Sequence, residues 1–592
     1  MTDAITETQE WEKHLKRVAK LDAERRQILS LSPDQAYREI LDHAEPTALI
    51  HSFAEEDFFF LIHDIGPFDA LDLLARASSR QWEYILDVEI WKRDRIDLNQ
   101  ATHWLDLLLK AAPARFIQWA ITEKPDLIEY YLYNTVDLCI REHDQDPSEL
   151  DGDFFTFDDI FYIRLIDPPE QRENDPETLD QQQAFLSDML NRLAMTDHVQ
   201  YQQTLLRSVN VLPAESEEEA YRFRNSRLAE KGFLSFEEAV GVYQPISVRV
   251  IENRRKRLPT ERTPDVFYPI PFNHIAFLEK DNRFTRALSL IQFDEVLQQI
   301  QTEFAGLCNQ ITAADQNPIH SREELRDVVK KACGYLEIGF ERLADKNRKL
   351  DDNQTAALIK TYPLIDIFRL GYGLVAKLRQ RAGNWHKQGW FANNRLALSF
   401  WDETLVGIIG GLLLDRPRFF DNFQTRKSRY REFTSLDDVK ITHRALKQAM
   451  AFDDILSCMG IDTKRLPEGF FITYKNLLLT LWARHELALS NEPAPIAASD
   501  FKPFFRSLWT SDANAVGLGY WISDEAKSRF LAWLAEESGF RKDEISTTLG
   551  KALESLFAEL AEEYGSVSAE DLDPRFIPHF LLETDGCPAD HP

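Results

Sequence analysis

The stretch Glu55-Glu56-Asp57-Phe58-Phe59-Phe60-Leu61-Ile62-His63-Asp64-Ile65-Gly66-Pro67-Phe68-Asp69-Ala70-Leu71-Asp72-Leu73-Leu74-Ala75 decides the fold. Phe58, Leu61 and Ile62 stand at i, i+3 and i+4, the spacing that places side chains on one face of an α-helix. Gly66-Pro67 then breaks the helix, and Leu71, Leu74 and Ala75 repeat the triad. Working outward, the same triad recurs at Tyr37/Ile40/Leu41, Trp82/Ile85/Leu86, Leu105/Leu108/Leu109, Phe116/Trp119/Ala120 and Leu127/Tyr130/Tyr131. Within the two unbroken runs, successive triads begin 13, 11, 11 and 11 residues apart, with Ser78-Ser79, Pro113 and Pro125 as punctuation. Each repeat is therefore a helix of about two turns plus a tight connection, too short to be stable alone in water. Such helices persist only by stacking on their neighbours, so residues 33–140 predict a superhelical array of short helices, with an ordinary irregular helical domain as the alternative.

The chain as a whole reads as mainly α: an N-terminal array of short stacked helices followed by larger helical regions. Residues 1–142 form the array, including an amphipathic helix over residues 10–30 with Trp11, Leu15, Val18 and Leu21 on one stripe. Ser32-Pro33-Asp34-Gln35 predicts a capped start for the next helix, and Thr178-Leu179-Asp180-Gln181 another. Residues 143–181 are an acidic connecting region in which Phe154–Tyr162 reads as a strand or a helix end. Residues 182–320 are a middle helical region, interrupted near 245–272 by Pro245, Pro259, Pro264, Pro269 and Pro271, which forbid a long helix. Residues 321–490 form a central helical domain with long amphipathic helices at Leu364 to Arg381 and Thr442 to Met459. Residues 491–592 are a C-terminal helical region whose tail, from Pro574, is expected to be loose.

Of 592 residues, 98 are Asp or Glu and 69 are Lys or Arg, a formal charge of −29. That field repels phosphate and argues against general binding to nucleic acid or anionic membrane, unless a local basic patch overrides it. The five cysteines at 139, 308, 333, 458 and 587 form no CxxC pair, as expected of reduced thiols. The N-terminus has neither the basic nor the apolar region of a secretion signal, so a cytoplasmic location is expected. The apolar run from Leu405 to Leu414 is too short for a bilayer that needs about 20 residues, and predicts a buried helix.

Chemistry-bearing motifs are sparse. There is no phosphate-binding G-x-x-x-x-G-K-[ST], no zinc-protease H-E-x-x-H and no G-x-S-x-G elbow, so no catalytic residue and no cofactor is assigned. His51 and His63 could approach across neighbouring helices, with Asp57 and Asp64 near, but satisfied or exposed histidines are expected and no metal ligand is assigned. The acidic run Asp144, Asp146, Glu149, Asp151, Asp153, Asp158, Asp159 fails the calcium-loop register and reads as a solvated loop. Two basic clusters interrupt the acidic background: Arg254-Arg255-Lys256-Arg257, and the arginines from 416 to 431 interleaved with Phe419, Phe420, Phe423 and Tyr430. Arginine beside aromatic rings can grip a carboxylate or phosphate, which makes Arg426, Arg429 and Arg431 the candidate anion site. Phe59 and Phe60, on a helix with apolar residues on more than one side, are either buried or a partner-binding surface.

Three segments carry a resemblance: Ala54–Asp57 through Ile65–Ala70 to Gln81–Asp87; Arg227–Phe233 with Glu237-Glu238-Ala239; and Phe368–Gly373. They resemble an uncharacterised bacterial family of domains of unknown function, numbered six-one-seven-eight, over most of the chain. The resemblance implies a bacterial protein and carries over no catalytic residue. The array at 33–140 is also similar to the N-terminal helical superhelix of MgtE-type magnesium transporters, without their membrane part, which implies an interaction or regulatory module. The expected function is a cytoplasmic helical scaffold or adaptor binding another protein. The alternative is an enzyme or ligand sensor with an anion-binding pocket between helical regions.

Overall fold

The structure, a computed structural model, describes residues 17, 20–141, 154–166, 176–231, 233–256, 272–278, 282–316, 319–344, 350–424, 428–467, 469–510 and 521–583. The fold is mainly α, with a few short strands. It divides into two compact units, residues 1–336 with 343–369, and residues 337–342 with 370–592. This partition is coarser than the five segments read from composition.

The amino-terminal unit is built from the short helices that the triads predict. Pro33–Leu41, Pro46–Ser52, Glu55–Ile65, Leu71–Arg76, Ser79–Glu89, Leu98–Ala111, Pro113–Thr122 and Pro125–Thr135 follow one another. Four of them begin with proline, whose fixed φ suits the first helical turn and whose missing N–H costs nothing there. Gly66 ends the helix Glu55–Ile65 at φ 103°, in a backbone region closed to most side chains. Ser78 and Gln81 form a reciprocal capping box at the start of Ser79–Glu89, at 3.2 and 2.8 Å. The proposed box at Ser32 does not form: Ser32 occupies the capping position, but its side chain makes no capping bond. Nor does Thr178–Gln181 open a helix, because the chain is already helical from Pro176 to Thr196.

One contiguous core threads these helices. Phe58, Leu61, Ile62, Trp82, Ile85, Leu86, Trp104, Leu105, Leu108, Phe116 and Trp119 are all buried in it. The array closes on a three-stranded antiparallel sheet in which Phe161–Leu165 lies between Val136–Ile140 and Phe155–Thr156. Within the ambiguous Phe154–Tyr162 segment, Phe155–Thr156 and Phe161–Tyr162 are strand and residues 157–160 form the bend between them. The helix Pro213–Glu230 clasps the array through charge. Arg227 makes a bidentate bond to Asp87 at 2.8 and 2.8 Å, and Lys231 reaches Glu55 at 2.7 Å.

The carboxyl-terminal unit mixes short and long helices. Its helices include Glu403–Leu413, Leu436–Cys458, Tyr474–Glu486, Ala498–Ser507, Asp524–Ser538 and Lys542–Tyr564. The apolar run at 405–414 lies in the largely buried helix Glu403–Leu413, as expected, except for Leu414, which caps the helix and is exposed. Its glycines admit the hairpin of Phe419–Phe420 and Tyr430–Arg431: a Cβ on Gly407 would stand 2.3 Å from the Phe420 ring, and one on Gly411 2.6 Å from the Arg418 carbonyl oxygen. The expected loose tail is corrected through residue 582. Ile577, Phe580, Leu581 and Leu582 are buried, and Leu582 pairs with Ile496 in a parallel bridge. Burial of four apolar side chains outweighs the chain entropy of fixing the segment. Residues 584–592 lie outside the described residues.

Candidate functional site

The structure redistributes the sequence candidates. Phe59 and Phe60 are 1% and 5% exposed, so the partner-surface alternative is corrected to burial. Phe59 packs on Tyr84 and His63, with ring centroids at 5.8 and 4.4 Å. Arg426 lies outside the described residues. Arg431 is neutralised within the fold: it meets Asp438 through two bonds at 2.8 and 2.9 Å and Asp421 at 3.0 Å. Its hydrogen bond to Asp438 outweighs burial and holds that carboxyl below the usual range. Arg429 is exposed, 3.8 Å from Glu403 and over the Phe423 ring. Arg254 and Lys256 of the first basic cluster also pair internally, with Asp366 at 3.3 Å and Glu303 at 2.6 Å. The described arginines therefore do not converge on an anion pocket.

The carboxyl-terminal unit instead carries a cavity of about 570 Å³ whose wall joins an apolar surface to a line of fixed charges. Trp401, Val406, Phe470, Phe471, Ile577 and Phe580 supply the apolar part. Asp402 caps the helix Glu403–Leu413, one oxygen accepting from the Leu405 N–H at 2.8 Å. Its other oxygen receives the Tyr474 hydroxyl at 3.1 Å and faces Lys475 Nζ at 3.1 Å. Lys475 is fixed by the first turn of its helix, which opens with a capping box between Thr473 and Asn476. The same ammonium donates to Glu559 at 2.6 Å, from the last turns of Lys542–Tyr564. Glu559 accepts a second bond from His579 Nε2 at 3.0 Å, and His579 Nδ1 receives the Tyr564 hydroxyl at 2.7 Å.

The electrostatics follow from this line. The His579 hydrogen bond, with Lys475 behind it, overcomes partial burial and pulls Glu559 down to about 2. Burial alone would lower Lys475, but Glu559 and Asp402 hold it above its ordinary value. Burial, and then Asp402, push the Tyr474 hydroxyl well up, so it stays a proton donor. Among the described lining residues, three carboxylates (Asp402, Glu403, Glu559) stand against one ammonium, Lys475. The local charge is negative, opposite to the anion pocket that the arginine cluster suggested.

In the amino-terminal unit a second constellation forms. His63 does not meet His51, which lies 3.0 Å from the Arg76 carbonyl oxygen instead. It meets Glu89 and His320: His63 Nε2 lies 3.1 Å, and His320 Nδ1 3.0 Å, from the same Glu89 oxygen. The Trp104 indole N–H donates to the other Glu89 oxygen at 3.2 Å. Burial would raise Glu89, yet His320 and His63 hold it at about 2. Sequence reading missed this group because its members come from three separate segments.

The sequence profile of a family of unknown function, DUF6178, matches residues 12–583. A mainly helical chain with these two constellations is thus the class of protein in hand, and the chain belongs to the DUF6178 family. No curated protein matches the chain, and no solved structure does. Among the described residues no helix is long and apolar enough to cross a membrane.

Proposed function

We propose that this protein binds a small organic molecule in the cavity of its carboxyl-terminal unit, one with an apolar, ring-sized body and a cationic amine head. The observation that carries this reading is the fixed line Asp402–Lys475–Glu559–His579 along an aromatic wall. Pockets of this size with a few convergent polar groups are where small ligands are recognised. Lys475 is shared between Asp402 and Glu559, so its one positive charge offsets only one of these two carboxylates, and Glu403, exposed and 3.8 Å from Arg429, adds to the negative side that would attract an amine. Phe471, 72% exposed, stands on the lining and can close over a bound ring. The test is a panel of aromatic amines against matched aromatic carboxylates, titrated into the full-length protein by ligand-observed NMR. Amines bind, carboxylates do not, and Phe471→Ala weakens the amines about tenfold, the worth of one partly buried ring. Binding of the carboxylates alone, or amine binding indifferent to Phe471, contradicts the reading.

A second reading, a helical scaffold or adaptor for another protein, is favoured by one observation in the amino-terminal unit. On the helix His198–Val209, Val199, Leu206 and Val209 are 61%, 42% and 56% exposed, and Leu212 beyond it is 62% exposed. Spacing of i, i+7 and i+10 puts the three helical residues on one side. A partner retained by the wild-type chain and lost in Val199→Asp/Val209→Asp, with helicity unchanged, supports this reading. A partner retained by that variant overturns it.

A further inference from the structure

We propose that His63, Glu89 and His320 form a binding site for a first-row divalent metal ion of the zinc type, with three protein ligands and solvent completing the coordination shell. The site lies wholly in the amino-terminal unit and is independent of the cavity reading. His63 comes from the last turn of Glu55–Ile65, Glu89 is the last residue of Ser79–Glu89, and His320 precedes the helix Arg322–Leu343. One donor atom from each residue lies within 4.8 Å of the other two, the one such group among the described residues. A tetrahedral ion with bonds of about 2.0–2.2 Å needs its ligand atoms roughly 3.3–3.5 Å apart. The two distances to the Glu89 oxygen, 3.1 and 3.0 Å, are already close to that separation.

Two further observations point to a cation. His63 Nε2 is buried and makes no hydrogen bond, although it stands 3.1 Å from the Glu89 oxygen. A buried ring nitrogen without a hydrogen bond, aimed at a carboxylate, is the arrangement a metal ion resolves. The surroundings also hold the ligands in place. Trp104, 1% exposed, fixes the second Glu89 oxygen, and the Phe59 ring lies against the His63 ring at a centroid distance of 4.4 Å. Asp64 and Arg322, neighbours of His63 and His320, form an ion pair that clasps the two segments. The His320 loop is pinned by Glu324, which accepts from the backbone N–H groups of His320 and Ser321 at 2.9 and 3.1 Å.

The donor set selects the ion. Two imidazoles and one carboxylate suit zinc and its first-row neighbours, whereas calcium and magnesium take oxygen ligands. The His320 side chain is 44% exposed, so the coordination positions left by the protein face water. An open position beside three protein ligands distinguishes such centres from closed four-ligand structural sites.

The test uses the full-length, tag-free protein stripped with a chelator. Zinc chloride is titrated by calorimetry, and cobalt(II) by its visible absorption. The expected result is one ion per chain, with a tetrahedral or five-coordinate cobalt spectrum, weakened at least tenfold by His320→Ala and by Glu89→Gln. Trp104→Phe weakens it about tenfold through its effect on Glu89. His51→Ala, outside the group, leaves it unchanged. His320 sits in a partly exposed loop, so its alanine variant keeps the core, as circular dichroism checks. No stoichiometric ion in the folded wild type, or an ion bound equally well by folded His320→Ala, overturns the proposal.

Discussion

Glu89 and Glu559 lie in different units and share one perturbation, each being held at a pKa of about 2. The means differ. Glu89 lies between two imidazoles and an indole N–H. Glu559 lies between an imidazole and an ammonium. An imidazole carries a lone pair when neutral, and an ammonium never does. The first arrangement can therefore exchange protons for a metal ion. The second is a permanent ion pair that shapes the wall of a cavity. Similar carboxylate electrostatics thus support two different chemistries, and the neighbouring cation decides which.

The largest expected effect comes from removing that cation. Lys475→Met deprives Asp402 and Glu559 of the ammonium they share, and should cost about 2–3 kcal/mol, read as a shift in urea midpoint. His320→Ala in metal-free protein leaves Glu89 with His63 and Trp104, and should cost about 1 kcal/mol. Equal losses in the two variants would break the comparison.

Acid comes next. The folded Glu559 value of about 2 lies below its ordinary 4.5, so its stabilisation is present above pH 4.5 and is lost as the pH falls toward 2. The side chain is 39% exposed, so solvent screening reduces the contribution to about 1 kcal/mol. The stability gap between wild type and Glu559→Gln should therefore narrow by that amount between pH 5 and pH 2. A gap that stays constant would mean that Glu559 is not the charged partner. Tyr564→Phe, which removes the hydroxyl bond to His579, should cost somewhat less, roughly 0.5–1 kcal/mol. Smallest is Phe471→Ala: its ring is 72% exposed, so stability should change by less than about 0.5 kcal/mol in chemical denaturation while amine binding weakens.

The array was legible because its information is local. A triad such as Trp82/Ile85/Leu86 states its own helix and its own buried face, and all three residues are buried. Both constellations were hidden because theirs is not local. His63 and Glu89 are 26 residues apart and Glu89 and His320 are 231 apart, and no spacing rule joins three such segments. One signal was present: His63 follows Phe59 by one helical turn in an apolar run, where a titratable residue must find a polar partner. The arginine cluster misled for the opposite reason. The acids that neutralise Arg431, Asp421 and Asp438, are only ten and seven residues away, so the pairing could be weighed from sequence alone. The tail misled through its polar end. Phe580-Leu581-Leu582 carries enough apolar surface to pack, whatever follows it.

Anomalous diffraction at the zinc absorption edge, from crystals of the full chain grown with zinc chloride, tests the contrast between the two glutamates most directly. The account predicts a peak bonded to His63 Nε2, Glu89 Oε1 and His320 Nδ1, and none at Glu559, where Lys475 occupies the cation position. Density at Glu559, or a zinc-soaked crystal in which His63 and His320 still stand against Glu89 with no peak between them, would contradict it.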